Sequence, residues 1–400
     1  MPQLCLYLHL HQPLRIAPYE VFDISSGRTY FATAESDENR SIFQKVADKS
    51  YRPMLSLLGK LLHEEPDFRF ALSITGVFIE QAQWYAPDVL NLLQELVKSG
   101  RVEIIAETYH HSLASLYSPK EFERQVRLHQ EVIKHHFAYD SVTFRNTELI
   151  YSNHIAEQVK QLGFIGTLTE AVDRYLGNRP KTRVYGSMGW PQLPLLLKHA
   201  QLSDDIAFRF SDKSWPMFPL HSEHYFDWLK AYGQEEIVNL FMDFETFGEH
   251  QWQDTGIFEF IDALVHRVIA DPYGKFVVPR EIFESLDPEI PLPVYDVPDP
   301  ISWADVDRDL TAWVDNVYQK DTLRLVYELE SPILASNDSK LINDWRNLQT
   351  SDHFYYMCTK WSADGDVHAY FSPYESPYEA YRRYSTVLAD MMGRLGVATS

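Results

Sequence analysis

The chain has 400 residues, of which 45% are hydrophobic and 14% aromatic, and its formal net charge is −21. A chain of this length and apolar content can bury a large core. The acidic excess argues against nucleic acid or an anionic membrane as a partner and favours a neutral ligand. The only two cysteines, Cys5 and Cys358, exclude a disulfide framework and a cysteine-rich zinc site.

The first residues of the chain bear on its location. They have no basic segment ahead of the apolar run and no small-residue cleavage site, so we expect no signal peptide. No apolar stretch approaches the roughly 18 residues that a membrane-spanning helix needs. We therefore expect a soluble cytoplasmic protein.

Short apolar runs alternate along the chain with segments of helical spacing. This alternation predicts an α/β protein with a parallel sheet, and seven or eight such units favour a closed barrel. An open doubly wound sheet is the alternative, but no glycine-rich phosphate-binding loop follows any of the runs. The predicted strands cover residues 3–10, 68–74, 101–107, 141–146, 164–170, 206–210, 236–243 and 275–278.

The helix predicted over residues 118–137 has the clearest start signal. Ser118 is placed to cap it, and Pro119 occupies the first helical position. Glu121 is then expected to close a capping box with Ser118.

A proline-rich segment divides the chain. Residues 287–300, DPEIPLPVYDVPDP, contain five prolines, which excludes a helix interior or a central strand. We interpret them as an extended connector between a catalytic barrel at 1–286 and a C-terminal helical region at 301–400 that packs on the barrel. Within that region, apolar spacing predicts a helix over 302–319, capped by Ser302.

Polar side chains collect where the predicted strands end. In a parallel barrel these ends meet on one face, and the loops that follow them carry the chemistry. A single histidine at such a position is usually structural, but polar groups at four strand ends indicate a functional site. They are His9 and His11 after the first strand, Glu107, Tyr109, His110 and His111 after the third, Arg145, Asn146 and Glu148 after the fourth, and Asp243, Glu245, Glu249 and His250 after the seventh.

Two of these carboxylates have contrasting surroundings. Glycoside hydrolysis needs one ionised and one protonated carboxyl group. Glu148 has Arg145 and Asn146 close by, which favours its ionised form. Asp243 is expected to have a raised pKa because of burial among its apolar neighbours, Met242, Phe244 and Phe247. Sequence proximity leaves two rival acids open, Glu245 and Glu249.

A metal-dependent hydrolase is the alternative chemistry. His9 and His11 form a His-x-His pair at the end of the first strand, which is typical of metal-dependent hydrolase barrels. However, Gln12 and Pro13 follow directly, and no later strand supplies a single His and Asp in the usual order. A chelator assay would separate the two chemistries.

Longer motifs follow one another along the chain: HQP (11–13), VEIIAETYHHSL (102–113), FRNTELIYSN (144–153) and MDFETFGEHQW (242–252). In their order and spacing they resemble glycoside hydrolase family 57, and within it the α-amylase group. The resemblance covers essentially the whole chain, including residues 162–177, 202–215 and 303–316. It implies an incomplete TIM-like (β/α)7 barrel with a C-terminal α-helical region, and a retaining mechanism on α-glucans.

The resemblance also implies roles for individual residues. Glu148 is the nucleophile and Asp243 the general acid/base, while His11 and His111 contact the substrate. We predict no catalytic metal and no cofactor, and an α-glucan as the partner. The further residues predicted to bind substrate are Tyr109, Arg145, Trp215, Glu245, His250 and Trp252, with the three aromatic side chains stacking on glucose rings.

Two related functions stay open beside α-glucan hydrolysis. A 4-α-glucanotransferase or glucan branching enzyme uses the same two carboxylates but admits a sugar hydroxyl in place of water. A catalytically weak, amylase-like glucan-binding protein is the other possibility, although the presence of both Glu148 and Asp243 favours a working enzyme. One departure from the family pattern is Arg280, which replaces a small residue in the fifth motif and puts the outer substrate subsites in question.

Overall fold

The computed structural model describes residues 1–31, 37–233, 235–360 and 372–397. It has an α/β fold in which helices cover sheets of mainly parallel strands. In chain order the strands are β1 (Gln3–Leu10), β2 (Phe70–Ile74), β3 (Val102–Ile105), β4 (Thr143–Arg145), β5 (Gly166–Glu170), β6 (Tyr185–Gly186), β7 (Pro194–Lys198), β8 (Ile237–Asp243) and β9 (Lys275–Phe276).

Helices occupy most of the segments between the strands and most of the chain after β9. They are α1 (Asp37–Val46), α2 (Arg52–Glu64), α3 (Gly76–Tyr85), α4 (Pro87–Lys98), α5 (Ala114–Tyr117), α6 (Pro119–Phe137), α7 (Asn153–Gln161), α8 (Asp173–Leu176), α9 (Ala200–Ala207), α10 (Ser222–Ala231), α11 (Ile257–Ala270), α12 (Pro279–Ser285), α13 (Thr311–Val314), α14 (Val317–Glu328), α15 (Glu330–Ser336), α16 (Ser339–Leu348), α17 (Ser351–Tyr355) and α18 (Pro377–Leu395). Short 3-10 helices lie at Val21–Asp23, Thr147–Leu149, Phe244–Thr246 and Gln253–Thr255, and a π-helical turn lies at Ala47–Tyr51.

The strands form two sheets. The first has the order β3-β2-β1-β8, with β9 paired to the start of β1, and all of its pairs are parallel. The second has the order β4-β5-β7-β6, in which only the β6 pair is antiparallel. An isolated parallel bridge joins Ala106, just after β3, to Phe144 of β4. On the other side, the Asn239 side chain of β8 donates to the Leu197 carbonyl oxygen of β7 at 2.9 Å.

The first strand illustrates why these sheets are buried. Every residue of β1 after Gln3 is buried, as is typical of a parallel strand with structure packed on both faces. Alternate side chains go to opposite faces of a strand. Cys5 and Tyr7 therefore join a cluster with Leu168 and Leu196 of the second sheet, while the leucines between them pack under the helices of the first sheet.

One predicted strand is wrong. Residues 206–210 are not extended, because α9 continues to Ala207 and a turn follows. His199 caps this helix, since its Nδ1 accepts the backbone N–H of Leu202 at 3.3 Å. The strand in this part of the chain is β7, which the sequence analysis does not predict because Pro191 and Pro194 stand directly before its apolar run. Pro194 is the first residue of β7, a position where a strand tolerates proline.

Helix α6 begins where the sequence predicts. The Ser118 hydroxyl accepts the backbone N–H of Glu121 at 3.2 Å, and Pro119 is the first helical residue. Glu121 does not complete the capping box. Its buried carboxylate instead accepts hydrogen bonds from Arg124 at 3.0 Å and from Arg346 at 2.7 Å, which ties this helix to α16.

The proline-rich segment is extended and bonded to its neighbours. Tyr295 donates its backbone N–H to the Gly186 carbonyl oxygen at 2.9 Å, and Asn153 donates to that of Val297 at 2.8 Å. The helix predicted from residue 302 begins later, at Thr311, because the Ser302 hydroxyl donates to the Asp309 carbonyl oxygen inside an irregular loop. Residues 361–371 and 398–400 of the predicted helical region lie outside the described residues. No helix in the described ranges is long and apolar enough to cross a bilayer.

Candidate active site

Four parallel strands bring polar side chains to one cleft. His9 lies in β1, Glu107 follows β3, Arg145 ends β4 and Asp243 ends β8. β1, β3 and β8 belong to one parallel sheet, and a parallel bridge joins the residue after β3 to β4, so the carboxyl ends of these strands lie on the same face of the fold. The cleft has a volume of about 570 Å³ and is lined by His9, His11, His111, Glu148 and Asp243, among others.

A chain of close contacts connects the two predicted catalytic carboxylates. Nε2 of His111 lies 3.2 Å from Oε1 of Glu148, and its Nδ1 lies 3.3 Å from Oε2 of Glu107. The same Glu107 oxygen lies 3.2 Å from Nε2 of His9, whose Nδ1 is 3.4 Å from Oδ1 of Asp243. Each histidine therefore stands between a buried Glu107 and one of the two carboxylates that face the cleft.

Glu148 is held by its backbone and by three donors. It has φ 56° and ψ 26° in the short helix Thr147–Leu149, a left-handed conformation that a non-glycine residue adopts mainly where function or packing requires it. Its carboxylate accepts from the indole N–H of Trp303 at 2.8 Å and the hydroxyl of Ser351 at 2.9 Å, and it faces His111. Backbone and side chain are thus both fixed.

These contacts decide the ionisation of Glu148. Burial favours the neutral acid, but the hydrogen bond and charge of His111 and the charge of Arg145 outweigh it, so the pKa of Glu148 is lowered. The expected ionised state is therefore supported, and Arg145 contributes to it as predicted, but His111 lowers the pKa of Glu148 more than Arg145 does. Asn146 does not contribute in this way, because its amide donates to Ser115 at 3.0 Å and to the Ile150 carbonyl oxygen at 2.9 Å.

Asp243 differs from the sequence expectation. Its three apolar neighbours in sequence, Met242, Phe244 and Phe247, belong to the hydrophobic core under the first sheet. The Asp243 side chain keeps 40% of its exposure. Burial still favours the neutral form, but the hydrogen bond and charge of His9 outweigh it, and the pKa of Asp243 is lowered rather than raised in the empty cleft.

Glu245 is the carboxyl group with the raised pKa. It is buried two residues after Asp243 and accepts the Tyr51 hydroxyl at 2.5 Å. Burial first, and then the charge of Asp243, raise the pKa of Glu245 to about 8. Glu245 lines the same cleft, so it remains the alternative candidate for the general acid. Glu249 is held by Lys45 and Lys49 at 3.4 and 3.2 Å.

The two histidines predicted to contact substrate are in different protonation states. Burial, followed by the charge of His111, lowers the pKa of His11 to about 4, and His11 lies 2.9 Å from Thr75 and 3.1 Å from Asp352. For His111, burial opposes protonation, but hydrogen bonds to Glu107 and Glu148 prevail and raise its pKa to about 9. The surroundings of His111 therefore favour its protonated form, whereas those of His11 favour the neutral form.

The C-terminal region supplies three residues to this cleft that the sequence analysis does not assign. Trp303 and Ser351 donate to Glu148, and Asp352 lies 3.1 Å from His11. Trp303 lies in one of the segments that resemble the family, and that is the one sequence signal that points to it. Ser351 and Asp352 lie more than 200 residues from their partners in sequence, so no local pattern indicates them.

Among the residues that the structure describes, two groups of side chains have the composition of a metal site. Ligand atoms of His9, Glu107 and His111 lie within 4.8 Å of one another, and so do those of His11, His111 and Asp352. In the first group the space beside Glu107 is already taken by the guanidinium of Arg145, 3.7 Å from Oε2 of Glu107 and 3.4 Å from Nε2 of His9. A second positive charge there would be repelled, which argues against a cation in that group.

Comparison with known proteins identifies the family. The model of glycosyl hydrolase family 57 matches residues 5–294. The chain is 38% identical to a protein of Methanocaldococcus jannaschii named "Putative alpha-amylase", over 95% of this chain and 82% of that protein. The chain belongs to glycosyl hydrolase family 57. Alpha-amylases of Pyrococcus abyssi, Pyrococcus furiosus and Pyrococcus horikoshii and a 4-alpha-glucanotransferase of Thermococcus litoralis match 30% of this chain and 18% of their own length.

Solved structures of family 57 enzymes share the α/β fold. The branching enzyme of Thermococcus kodakaraensis superposes with a TM-score of 0.69 at 14% identity, covering 98% of this chain and 90% of that one. An alpha-amylase of Thermotoga maritima superposes with a TM-score of 0.63 at 14% identity, covering 100% of this chain and 99% of that one. The chain is thus a family 57 glycosidase with a fold known in that family.

The structure of this family 57 chain does not bring every predicted substrate-binding residue to the cleft. Tyr109 donates its hydroxyl to Glu80 at 2.7 Å, and its ring fills the space left by the missing Cβ of Gly76. Trp215 packs edge-on against Trp228 with ring centroids 6.2 Å apart, in a separate depression. Both rings are therefore used for packing away from the cleft.

The remaining predicted residues lie in or beside the cleft, except for Arg280. His11, His111, Glu245 and His250 line it, and Arg145 lies behind it with its guanidinium 5.0 Å from the Trp303 ring. Trp252 lines an adjoining cavity, of which His250 is also a wall. Arg280 donates its backbone N–H to Glu103 at 2.8 Å, near the start of β3 and hence at the opposite end of the strands from the cleft.

Proposed function

We propose that this family 57 glycosidase hydrolyses α-1,4-glucosidic bonds of α-glucans with retention of configuration. The observation that carries the proposal is the placement of Glu148 and Asp243 on one cleft, each in contact with a histidine that also contacts Glu107. The Glu148 side chain is 18% exposed and fixed by donors, and the Asp243 side chain is 40% exposed and more open to the cleft. That asymmetry suits a nucleophile and a general acid/base.

In the first step Glu148 attacks the anomeric carbon. A bond forms between a Glu148 oxygen and that carbon, the glycosidic bond breaks, and Asp243 gives its proton to the departing oxygen. Glu148 needs no base for this step because its donors keep it ionised. Retention requires the two carboxyl groups to lie roughly 5–5.5 Å apart, since no water stands between nucleophile and sugar.

Asp243 must carry a proton when the substrate is bound. A sugar in the cleft would remove water from the exposed side of its carboxylate, and desolvation raises the pKa of a carboxyl group. The pKa of Asp243 then rises from the lowered value that it has in the empty cleft. In the second step Asp243 takes a proton from water, the oxygen of that water bonds to the anomeric carbon, and the ester bond to Glu148 breaks.

The groups around this pair bind and orient the sugar. Neutral His11 and partly open Asp352 offer a donor and an acceptor to sugar hydroxyls. Protonated His111 stabilises the negative charge that Glu148 carries before the attack and recovers after the second step. The Arg145 side chain has no exposed surface. Its positive charge acts on the carboxylates of Glu148 and Asp243.

We also infer that the two sheets close into an incomplete (β/α)7 barrel. The support comes from the Ala106–Phe144 bridge at one junction and the Asn239–Leu197 bond at the other. Followed through both junctions, the parallel strands have the cyclic order β1, β2, β3, β4, β5, β7 and β8. Closure would place all their carboxyl ends around the same cleft, which is where a barrel enzyme holds its substrate.

Incubation with starch and maltooligosaccharides, with the products resolved by chromatography, tests the proposed reaction. Shorter products alone indicate hydrolysis, and longer products as well indicate glucan transfer by the same two carboxylates. No turnover by the wild-type chain, together with binding of the sugars, would support the alternative of a glucan-binding protein. The anomeric form of the first product, followed by NMR, should be the α form.

The cytoplasmic location stays a prediction from the sequence.

A further inference from the structure

The ammonium group of Lys360 joins two parts of the chain that are separate in the sequence. Lys360 follows α17. Its Nζ donates to Oδ2 of Asp307 at 2.7 Å, to Oγ1 of Thr311 at 2.8 Å and to Oδ2 of Asp305 at 3.3 Å. Both aspartates belong to the irregular loop of residues 302–310, and Thr311 is the first residue of α13. Lys360 therefore ties this loop to the segment that follows α17.

We propose that Lys360 is a positioning residue for Glu148, because it fixes the 302–310 loop, whose Trp303 side chain donates to that carboxylate. The proposal rests on the proposed function in one respect, the role of Glu148 as nucleophile. Lys360 itself does not line the cleft. It therefore acts through the loop and not on the sugar.

Trp303 is bonded to Glu148 twice. Its indole N–H donates to Oε2 of Glu148 at 2.8 Å, and its backbone N–H donates to the Glu148 carbonyl oxygen at 3.2 Å. The next three residues of the loop, Ala304, Asp305 and Val306, line the cleft. A shift of the loop would therefore change the contacts of the nucleophile and the wall of the cleft together.

Lys360 also links the loop to the segment that supplies another donor to Glu148. Ser351, at the start of α17, donates its hydroxyl to Oε1 of Glu148 at 2.9 Å. Between α17 and Lys360 the chain is held by Asn316, whose side-chain amide donates to the Met357 carbonyl oxygen at 2.7 Å. These two donors to the carboxylate thus come from segments that are remote in the sequence, and Lys360 bridges the two segments.

The loop needs a contact of this kind to keep its shape. Asp305 and Arg308 have φ 57° and 51°, a left-handed conformation that persists in non-glycine residues only where the surrounding structure holds it. Asp305, Asp307 and Asp309 alternate with other residues along the loop, and their like charges repel one another. The Asp305 side chain is only 3% exposed, so salt screens its charge poorly. A cation in contact with both Asp305 and Asp307 offsets this repulsion.

Lys360 keeps its charge in this position. Burial favours its neutral form, but the hydrogen bond of Asp307 and the charge of Asp305 outweigh burial, and the pKa of Lys360 is raised. A second cation holds the loop in a different way. Arg174 donates to the backbone carbonyl oxygens of Asp307 and Arg308 at 2.7 and 3.1 Å. Arg174 thus contacts the backbone of the loop, whereas Lys360 contacts its carboxylates.

The indole N–H signal of Trp303 tests the proposal without a measurement of activity. The chain has nine tryptophans, and in NMR spectra with 15N-labelled tryptophan the signal of Trp303 is the one that Trp303→Phe removes. Because Glu148 accepts this N–H, the signal should shift as Glu148 titrates, and Glu148→Gln should abolish the shift. Lys360→Met should raise the titration midpoint by about 1 pH unit, since a weaker hydrogen bond to the ionised form raises the pKa of a carboxyl group.

Two further variants separate positioning from a general effect on stability. Lys360→Arg keeps a cation at this position and should restore most of the wild-type midpoint. Lys160→Met is the matched control, because the Lys160 side chain is 22% exposed, as is that of Lys360, and contacts Glu157 within α7 at 2.7 Å. It should leave the midpoint unchanged. The other charged groups that act on Glu148 are the same in all these variants; they are His111, Arg145 and Asp352.

Steady-state kinetics on maltoheptaose gives a second measurement. Lys360→Met should lower kcat by about tenfold and change KM much less, because a misplaced nucleophile affects the reaction more than the binding of substrate. Lys360→Arg should recover most of the lost kcat. If the wild-type chain cleaves no glucan at all, the proposed function fails, and the titration of the Trp303 signal still decides this inference.

A wild-type midpoint in a folded Lys360→Met variant would overturn the proposal, even if its melting temperature is lower. Should that variant fail to fold, Asp307→Asn replaces it, since the Asp307 side chain is 62% exposed and tolerates the change. A smaller upward shift of the midpoint is expected there, and no shift would overturn the proposal. A wild-type Trp303 signal that does not respond to the titration of Glu148 would overturn it as well.

Discussion

Nδ1 of His9 lies 3.4 Å from Oδ1 of Asp243 while Nε2 of the same ring lies 3.2 Å from Oε2 of Glu107. The His9 ring thus contacts two carboxylates at once. Its hydrogen bond and charge lower the pKa of Asp243, which opposes the acid role of that residue in the empty cleft. The acid role of Asp243 thus depends on what substrate binding does to this contact.

Amide replacements should identify the acid. Asp243→Asn removes the group that faces the cleft and should lower kcat by about 10²–10⁴-fold. Glu245→Gln should cost much less at pH 7, because the pKa of Glu245 is about 8 and glutamine resembles its protonated form. Steady-state kinetics on maltoheptaose measures both. A larger loss in Glu245→Gln than in Asp243→Asn would assign the acid to Glu245.

The pH profile of kcat should be bell-shaped, because kcat reports the ionisation of groups in the enzyme–substrate complex. Glu148 must be ionised, so activity should fall as the pH drops to or below about 4.3. Asp243 must be protonated, so activity should also fall above its pKa in the bound state. Asp243→Ala should abolish the alkaline limb and spare the first step on substrates with a good leaving group. Each limb reflects a macroscopic pKa of the coupled pair Glu148 and Asp243. Only variants such as Asp243→Ala can therefore assign a limb to one of the two residues. An alkaline limb that survives in Asp243→Ala would remove Asp243 from the acid role.

Ser351→Ala should shift the acid limb. A hydrogen bond to the ionised form lowers the pKa of a carboxyl group, and Ser351 donates to Glu148 at 2.9 Å. Its removal therefore raises the pKa of Glu148, and the acid limb should move upward by about 1 pH unit, while activity at pH 7 is largely kept. Ser336→Ala is the control, since its hydroxyl donates to the Ile333 carbonyl oxygen and accepts the backbone N–H of Asp338, and neither residue lines the cleft. A limb at the wild-type pH in Ser351→Ala would mean that Ser351 does not act on Glu148.

The stability of the fold should depend on the proton of His111. Its pKa is raised to about 9 in the folded chain, against about 6.5 when unfolded. A raised folded pKa contributes stability that is complete below about pH 6.5 and lost as the pH rises through about 9, at most about 3 kcal/mol. Urea unfolding at pH 6, 7.5 and 9.5 measures the decline, and His111→Gln should be less stable at pH 6 with a smaller decline. A wild-type decline that His111→Gln shares in full would assign it to other groups.

Dialysis against a strong chelator should leave turnover unchanged. The reason is the guanidinium of Arg145, which lies 3.7 Å from Glu107 and opposes a cation at the first cluster of possible ligands. Activity on maltoheptaose before and after dialysis is the measurement, with metal-free buffer as the control. A loss of activity that is reversed by added zinc or manganese would instead support a metal-dependent hydrolase with His9 and His11 as ligands.

The sequence by itself determined the features that depend on local pattern. The apolar run of β1, the capped start of α6 and the motifs that contain Glu148 and Asp243 all follow from residues close together in the chain. Family membership, which the motifs indicate, is confirmed by the matches over nearly the whole chain. The failure to predict β7 has a local cause as well, since Pro191 and Pro194 stand directly before its apolar run.

Only the tertiary structure decided how the two carboxylates are surrounded. The apolar neighbours of Asp243 in sequence predict a raised pKa for its carboxyl group. In the fold, however, Asp243 contacts His9, which lies 234 residues away in the sequence. Ser351 reaches Glu148 across 203 residues. The pKa of a carboxyl group depends on distances within a few ångströms, and those distances are set by packing of elements that are remote in the sequence.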